Sequence, residues 1–363
     1  MLTVKTQNLI TSTVTAFVAA AGLCGSAIAG TIRHDRSDAQ YTNFANQNQF
    51  ASVGRLDMRF ADNTRSICSG TLISANWVLT AAHCLGSGQR GLAANTGFTI
   101  GSRSIFINRG LQHATWRNPN GGEIVDLGLL QLSTSMSNVN PATLYSGTNE
   151  DWQVGNYVGF GNTGTGLTGQ INRRYNTKRA GQNMVGLGSR LGYSDDILVS
   201  DFDDPRSVNP SQPWTQSLNL EYQIAPGDSG GGLFIGGLLA GVNSFVRDNN
   251  NNERLSDYGD ISAATRVSSH RNWIRNAISG LAGTGVLNSL PRTSSNFGPI
   301  SLAELIIDES ESIGDLSQPL QIVEDTWDNS EAVPEPTTVV GGLLSLGGLI
   351  LARRRRKLTQ KQA

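Results

Sequence analysis

Glycine sets the terms on which this chain can fold. Forty-two of its 363 residues are glycine, and they recur inside short apolar runs. "VGFGNTGTG", Val158 to Gly166, is one such stretch, and "APGDSGGGLF", Ala225 to Phe234, is another. A glycine inside a helix costs about 1 kcal/mol relative to alanine, and no sustained helical or heptad repeat offsets that cost. The pattern favours short strands joined by many turns, an all-β core.

Length and charge bound the rest. The length fits about two domains. With 28 basic and 29 acidic residues the formal net charge is -1, so no global field recruits nucleic acid or an anionic surface.

Both ends read as targeting segments. Lys5, the apolar "FVAAAGLCGSAIAG" and the small-x-small Ala27-Ile28-Ala29 make residues 1–29 a secretory signal for signal peptidase. From about residue 281 to 332 the chain turns polar and then acidic, and reads as a linker. Val333-Pro334-Glu335-Pro336 is stiff and extended. A glycine-interrupted apolar run of about 15 residues follows and ends in Arg353 to Arg356 and Lys357. That is short of the roughly 20 residues a stable span needs. Residues 333–357 together resemble a PEP-CTERM sorting signal, which an exosortase reads. The resemblance implies transient membrane association and a final place in the cell envelope, at the cell surface or outside the cell.

Removing the signal leaves Cys68 and Cys84. In an exported chain such a pair either bridges or remains as two buried thiols. A bridge closing about 16 residues would contribute roughly 3 kcal/mol.

Chemistry concentrates at three places. "CSGTLISANWVLTAAHCL", Cys68 to Leu85, holds two short strands around Ser74-Ala75-Asn76 and then His83 at a small-residue corner. His34, His113 and His270 have no comparable surroundings and read as ordinary core or surface residues. "EIVDLGLLQL" places Asp126 at the mouth of an apolar strand, where a carboxylate is costly unless it is paired. Ser229 stands among glycines, which suits either a tight turn or a nucleophile. An acid, an imidazole base and a serine form one working unit. In that unit the backbone N–H groups of Gly227 and Ser229 could converge as an oxyanion hole.

"TAAHC" with its upstream cysteine, "DLGLLQL" and "GDSGGG", in that order, resemble a trypsin-like, chymotrypsin-fold serine protease. "VGFGNTGTG" resembles the opening of that family's second barrel, and "ATRVSSHRNWIRNAI" its closing strand and terminal helix. The resemblance spans roughly residues 48–278. It implies two packed antiparallel six-stranded β-barrels, residues 30–150 with His83 and Asp126 and residues 151–280 with Ser229. It also implies protein or peptide substrates and no cofactor or metal. "DNNNNERLSD" reads as an exposed polar loop, not a calcium site.

By the same resemblance Gln223 lies at the base of the primary pocket, while Ser244, Phe245 and Val246 line it and pair with substrate backbone. Gln223 brings no counter-charge for a substrate Lys or Arg, unless Glu221 or Asp260 faces the pocket. Many relatives satisfy the aspartate before the nucleophile, here Asp228, with a freed amino terminus. Here the new terminus "GTIRHDRSD", another cleavage product or Arg33 could take that place. The competing reading is a protease-like surface binding protein with the motifs but little activity.

Overall fold

In Val53–Arg59 the sequence alternates: Leu56 and Met58 are buried, while Arg55 and Asp57 face outward. That period of two is what a strand with one covered face requires. The structure, a computed structural model, describes residues 30–60, 64–86, 95–117, 125–171, 177–207, 217–280 and 288–289. The expected secretory signal, the PEP-CTERM-like segment and nearly all of the acidic linker lie outside these residues.

The chain opens with β1 (Gly30–Ile32) and α1 (Asp38–Ala45). Six strands follow: β2 (Val53–Arg59), β3 (Arg65–Ser74), β4 (Trp77–Thr80), β5 (Asn95–Ile100), β6 (Arg103–Gln112) and β7 (Gly128–Leu132). Neighbours run β6-β5-β2-β3-β4-β7, and β6 also pairs with β7, which closes a six-stranded antiparallel barrel. Closure leaves no open edge among these strands. Leu56, Leu72, Val78, Phe98 and Leu129 fill its interior.

The second half contains β8 (Val154–Gly159), β9 (Thr163–Thr165), β10 (Gly169–Ile171), β11 (Arg179–Met184), β12 (Gly186–Leu187), β13 (Ile197–Asp201) and β14 (Tyr222–Gln223). Then come β15 (Gly232–Ile235), β16 (Leu238–Arg247), β17 (Ile261–Arg266), α2 (Val267–Ile278) and β18 (Asn288–Ser289). Seven of these form a barrel-like sheet in the order β11-β8-β15-β16-β17-β13-β12. A small sheet, β10-β9-β1-β14, threads the first strand of the chain between β9 and β14. The last two described residues, Asn288 and Ser289, fall in the expected linker and pair with β6.

The all-β architecture of two barrel-like sheets with a terminal helix is therefore as the resemblance implies, although the second sheet has seven strands where six were expected. The helix buries Val267, His270, Ile274 and Ala277, one face of a 3.6-residue repeat. Val267 and Ile274 join the same apolar cluster as Val158, Phe234 and Val242 and the first barrel's interior, so the two sheets share a continuous core. Among the described residues no helix is long and apolar enough to cross a membrane.

Candidate active site

His83 lies in a one-turn 3₁₀ helix, Ala82–Leu85, just after β4. The Cys68–Cys84 disulfide ties that turn to β3. Of the two readings of the cysteine pair, the bridge is the one formed. Cys68, His83 and Cys84 have the spacing of a metal-ligand group. The joined sulfurs, however, cannot act as thiolate ligands.

Asp126 enters two residues before β7 and is 5% exposed. Its Oδ1 accepts the backbone N–H of His83 at 2.9 Å, and its Oδ2 lies 2.7 Å from His83 Nδ1. The Ser244 hydroxyl also donates to Oδ2, at 2.6 Å. Burial alone would raise the Asp126 pKa, yet the His83 charge and these hydrogen bonds hold it below its ordinary value. For His83, burial opposes the charged form, but the charge and hydrogen bond of Asp126 prevail and raise its pKa.

Ser244 reaches Asp126 because β16 is bulged. The pairing with β17 jumps from Asn243–Ala264 to Phe245–Ala263 and leaves Ser244 as the extra residue. Bulges re-aim side chains in this way. The Ser244 side chain is thereby buried on the aspartate, while the pairing with substrate expected of this strand would use its backbone. Phe245 packs edge-on against Tyr193, with ring centroids 5.6 Å apart.

Ser229 is half-buried in the loop between β14 and β15. Its carbonyl accepts the Ser69 N–H at 2.8 Å, which docks the loop on β3. Cys84 Sγ lies 3.6 Å from that carbonyl oxygen and 3.8 Å from His83 Nε2, the imidazole nitrogen not engaged by Asp126. Among the described residues the Ser229 hydroxyl forms no hydrogen bond to His83. Catalytic contacts in unliganded sites are often long and close only around substrate.

The peptide groups flanking Ser229 are fixed by their carbonyls. Pro226 O accepts the Asn162 N–H at 2.6 Å, and Asp228 O accepts the Gly231 N–H at 2.9 Å. In a trans peptide the N–H points opposite to the C=O, so the Gly227 and Ser229 N–H groups face away from those donors. Neither has an acceptor among the described residues. Gly227 has φ +96°, a conformation that side chains rarely adopt. Its own carbonyl accepts the Ser69 hydroxyl at 2.9 Å, and that oxygen in turn accepts the Phe160 N–H at 3.0 Å.

Asp228 is fully buried, and neither Arg33 nor any other cation bonds to it among the described residues. Arg33 is held by Asp35 and the Leu218 carbonyl. The Asp228 carboxyl accepts the N–H of Gly161 at 2.8 Å, the N–H of Ala225 at 3.0 Å and the Tyr222 hydroxyl at 3.1 Å. Burial still pushes its pKa up to about 7 against these donors. Serines 69 and 244, Asn162 and Tyr222 thus support the site, and the sequence reading did not single them out for these contacts. The register shift at Ser244 and contacts between distant segments leave no local signature.

The other expected pocket residues fall into two groups. Gln223 is buried at the end of β14, and Val246 pairs in register with Ser262 of β17. The two neighbouring acids are both engaged by backbone. Glu221 accepts the N–H groups of Asp203 and Leu218, and Asp260 those of Asn249, Ser256 and Asp257. In the 248–257 loop the Asn250 and Asn252 side-chain amides donate to the Asp257 carboxylate at 2.7 and 2.6 Å.

Comparisons with known proteins agree with this architecture. A family model described as Trypsin matches residues 42–274. The chain is 27% identical over 216 residues to a putative peptidase of Corynebacterium glutamicum, covering 57% of this chain and 62% of that relative. It thus spans less than two thirds of that protein's length. It is 28% identical over 257 residues to bovine chymotrypsin-like elastase family member 1, covering 64% of this chain and 86% of the elastase. The solved structure of HL collagenase matches with a TM-score of 0.50 at 22% identity, over 70% of this chain and all of that one, a likeness of fold.

Proposed function

Because the chain belongs to the trypsin family, we propose that it is an exported serine endopeptidase with Ser229 as nucleophile, His83 as base and Asp126 as orienting acid. The observation that carries this reading is the two-point grip of Asp126 on His83, through both the ring and the backbone N–H. That grip sets Nδ1 as the proton-bearing nitrogen, which leaves Nε2 free to take a proton.

In the proposed reaction the Ser229 oxygen attacks the scissile carbonyl carbon as its proton passes to His83 Nε2. Asp126 stabilises the imidazolium without accepting the proton. The oxyanion is received by the Gly227 and Ser229 N–H groups, whose direction is set in advance by Asn162 and Gly231. His83 then returns the proton to the leaving amine, and water repeats the sequence on the acyl-enzyme.

Export by signal peptidase and release of the C-terminal segment by an exosortase-type enzyme complete the proposal. They rest on residues 1–29 and 333–357 and place the protease in the envelope, at the cell surface or outside the cell. Cleavage after Ala29 would leave the new terminus on Gly30, the first residue of β1.

A fluorophosphonate probe tests the reading directly. Ser229 should label in the folded chain, and Ser229→Ala should abolish labelling and lower turnover by about 10⁶. Full peptide hydrolysis by Ser229→Ala would overturn the assignment, and unlabelled native protein would favour the binding-protein alternative.

A further inference from the structure

The Ala82–His83 peptide is gripped at both ends. Its N–H donates to Asp126 Oδ1 at 2.9 Å. Its carbonyl, Ala82 O, accepts the Gln112 side-chain amide at 2.7 Å. In a trans peptide the C=O and N–H point opposite ways, so fixing the oxygen aims the N–H. The same Gln112 nitrogen donates to Gly86 O at 3.0 Å. An –NH₂ carries two protons, one for each carbonyl, and the two acceptors decide which way the amide faces. Gln112 thus spans the histidine turn from Ala82 to Gly86.

The turn needs that support. It is a single 3₁₀ turn, and its own backbone bonds are long: Cys84 N–H to Ala81 O at 3.2 Å and Gly86 N–H to His83 O at 3.3 Å. Bonds of this kind hold geometry poorly. The Cys68–Cys84 disulfide pins the residue after His83, which leaves the peptide before it to be fixed by another group. Gln112 comes from a rigid element. It ends β6, where it pairs with Gly128 of β7, and the next residue, His113, donates its N–H to Leu127 O at 2.8 Å. The strand that holds the histidine peptide is therefore tied to the chain leaving Asp126.

We propose that Gln112 is a positioning residue for the triad, orienting the Ala82–His83 peptide so that Asp126 meets His83 at both the ring and the backbone N–H. This rests on the protease reading of Ser229 and deepens it, because the two-point grip is what sets Nδ1 as the proton-bearing nitrogen. Without a donor on the two carbonyls the peptide tilts, the backbone contact lengthens, and imidazole and carboxylate drift out of line. Among the described residues Gln112 bonds to the two carbonyls and not to the imidazole or to Ser229. Its effect passes through one peptide group.

The test compares Gln112→Met and Gln112→Asn with the wild type, each as the full chain. Met keeps the length of the side chain and removes both donors. Asn keeps the –NH₂ but is one methylene too short to reach both carbonyls. Fluorophosphonate labelling of Ser229 is followed against probe concentration and pH, which separates the limiting rate from the half-saturating concentration. Denaturant titrations run beside it. Gln112→Met should lower the limiting rate about tenfold with half-saturation unchanged, the scale of one hydrogen bond felt in the transition state. Its acid limb should also move to lower pH, because His83 loses part of the Asp126 contact that favours its charged form while burial remains. Gln112→Asn should fall between wild type and Gln112→Met in both readouts, and it decides the matter if Gln112→Met does not fold. A merely structural role predicts another pattern: a lower denaturation midpoint, with the limiting rate and the acid limb in place. That pattern, beside a wild type that labels, overturns the inference and leaves the protease reading standing. Failure of the wild type to label removes the protease reading and the inference together.

Discussion

Ser244 of β16 in the second sheet donates to Asp126 Oδ2, just before β7 of the first, at 2.6 Å, so the carboxylate that grips His83 is itself held from the other sheet. Thr265 Oγ1 adds a contact to the Asp126 carbonyl at 3.3 Å, also from the second sheet. Packing of the two sheets and orientation of the imidazole are therefore one mechanical problem.

Ser244→Ala should reveal that coupling. A hydrogen bond to a charged group contributes about 1.5–3 kcal/mol. Loss of even the lower value from the transition state is about tenfold in rate. The expected result is a fall in kcat with little change in KM, together with a lower denaturation midpoint. Unchanged kcat in a folded variant would show that Asp126 is fixed without Ser244.

The pH profile follows from the His83–Asp126 pair. In the proposed reaction His83 must be neutral to accept a proton, and its pKa is raised from the ordinary 6.5 because Asp126 outweighs burial. The acid limb of kcat/KM should therefore lie above pH 6.5, with activity lost as pH falls through it. In Asp126→Asn the favourable charge is gone and burial remains, so the limb should move to lower pH. Turnover should also fall by an amount on the order of 10⁴. An acid limb that stays in place would mean that another group titrates there.

Much of this was legible in the sequence, for physical reasons. His83, Asp126 and Ser229 sit in local settings that ordinary core residues do not need: a cysteine-pinned corner, a carboxylate entering an apolar strand, a serine among glycines. Glycine frequency and short apolar runs gave the β class. The bulge at Ser244, the Ser69 contact to Gly227 and the Tyr222 contact to Asp228 were not legible. Each depends on segments at least six residues apart meeting, and most on register between strands. The insertion of β1 between β9 and β14 was hidden for the same reason, since three residues carry no pattern.

The disulfide should matter to stability and to the site at once. It joins residues 16 apart, and removing such a link costs about 3 kcal/mol in the chain-entropy model. The Cys68→Ala, Cys84→Ala double variant should lose about that much in denaturant titrations. The wild type should approach the same curve in reductant. Because Cys84 adjoins His83 and lies 3.6 Å from the Ser229 carbonyl oxygen, labelling of Ser229 should slow before global unfolding. Identical titration curves with and without reductant would count against this role.

Glycine directly after Ser229 is a steric requirement. At Gly230 φ is +79°, and a Cβ would lie 2.0 Å from Thr80 Oγ1 and 2.3 Å from the Ser69 carbonyl oxygen. One of these is backbone of the central strand β3 and cannot swing aside. Overpacking of this kind costs about 1–3 kcal/mol, and here it wedges the Ser229 loop off the first barrel. Gly236→Ala is the control, because φ there is +57° and nothing lies within 4 Å of the added carbon. Gly230→Ala should lose labelling and stability together, while Gly236→Ala loses only a little stability. Equal effects at the two positions would show that backbone conformation, not contact with β3, is the constraint.

The buried Asp228 carboxyl should leave a signature in stability against pH. Its folded pKa is raised by burial to about 7, against an ordinary 3.8, despite three donors. A group raised in this way favours folding most below its unfolded pKa. That contribution declines as pH rises from about 4 to 7 and is gone above the folded value. Tyr222→Phe removes the 3.1 Å hydroxyl donor and leaves two backbone N–H groups to face the charge. The folded pKa should rise further, so the variant's deficit should be larger at pH 8 than at pH 4. Because Asp228 adjoins Ser229, fluorophosphonate labelling of the variant should also decline relative to wild type as the carboxyl ionises. Denaturant titrations across that range give the answer, and a deficit equal at both ends would mean that the hydroxyl supports packing but not the Asp228 charge.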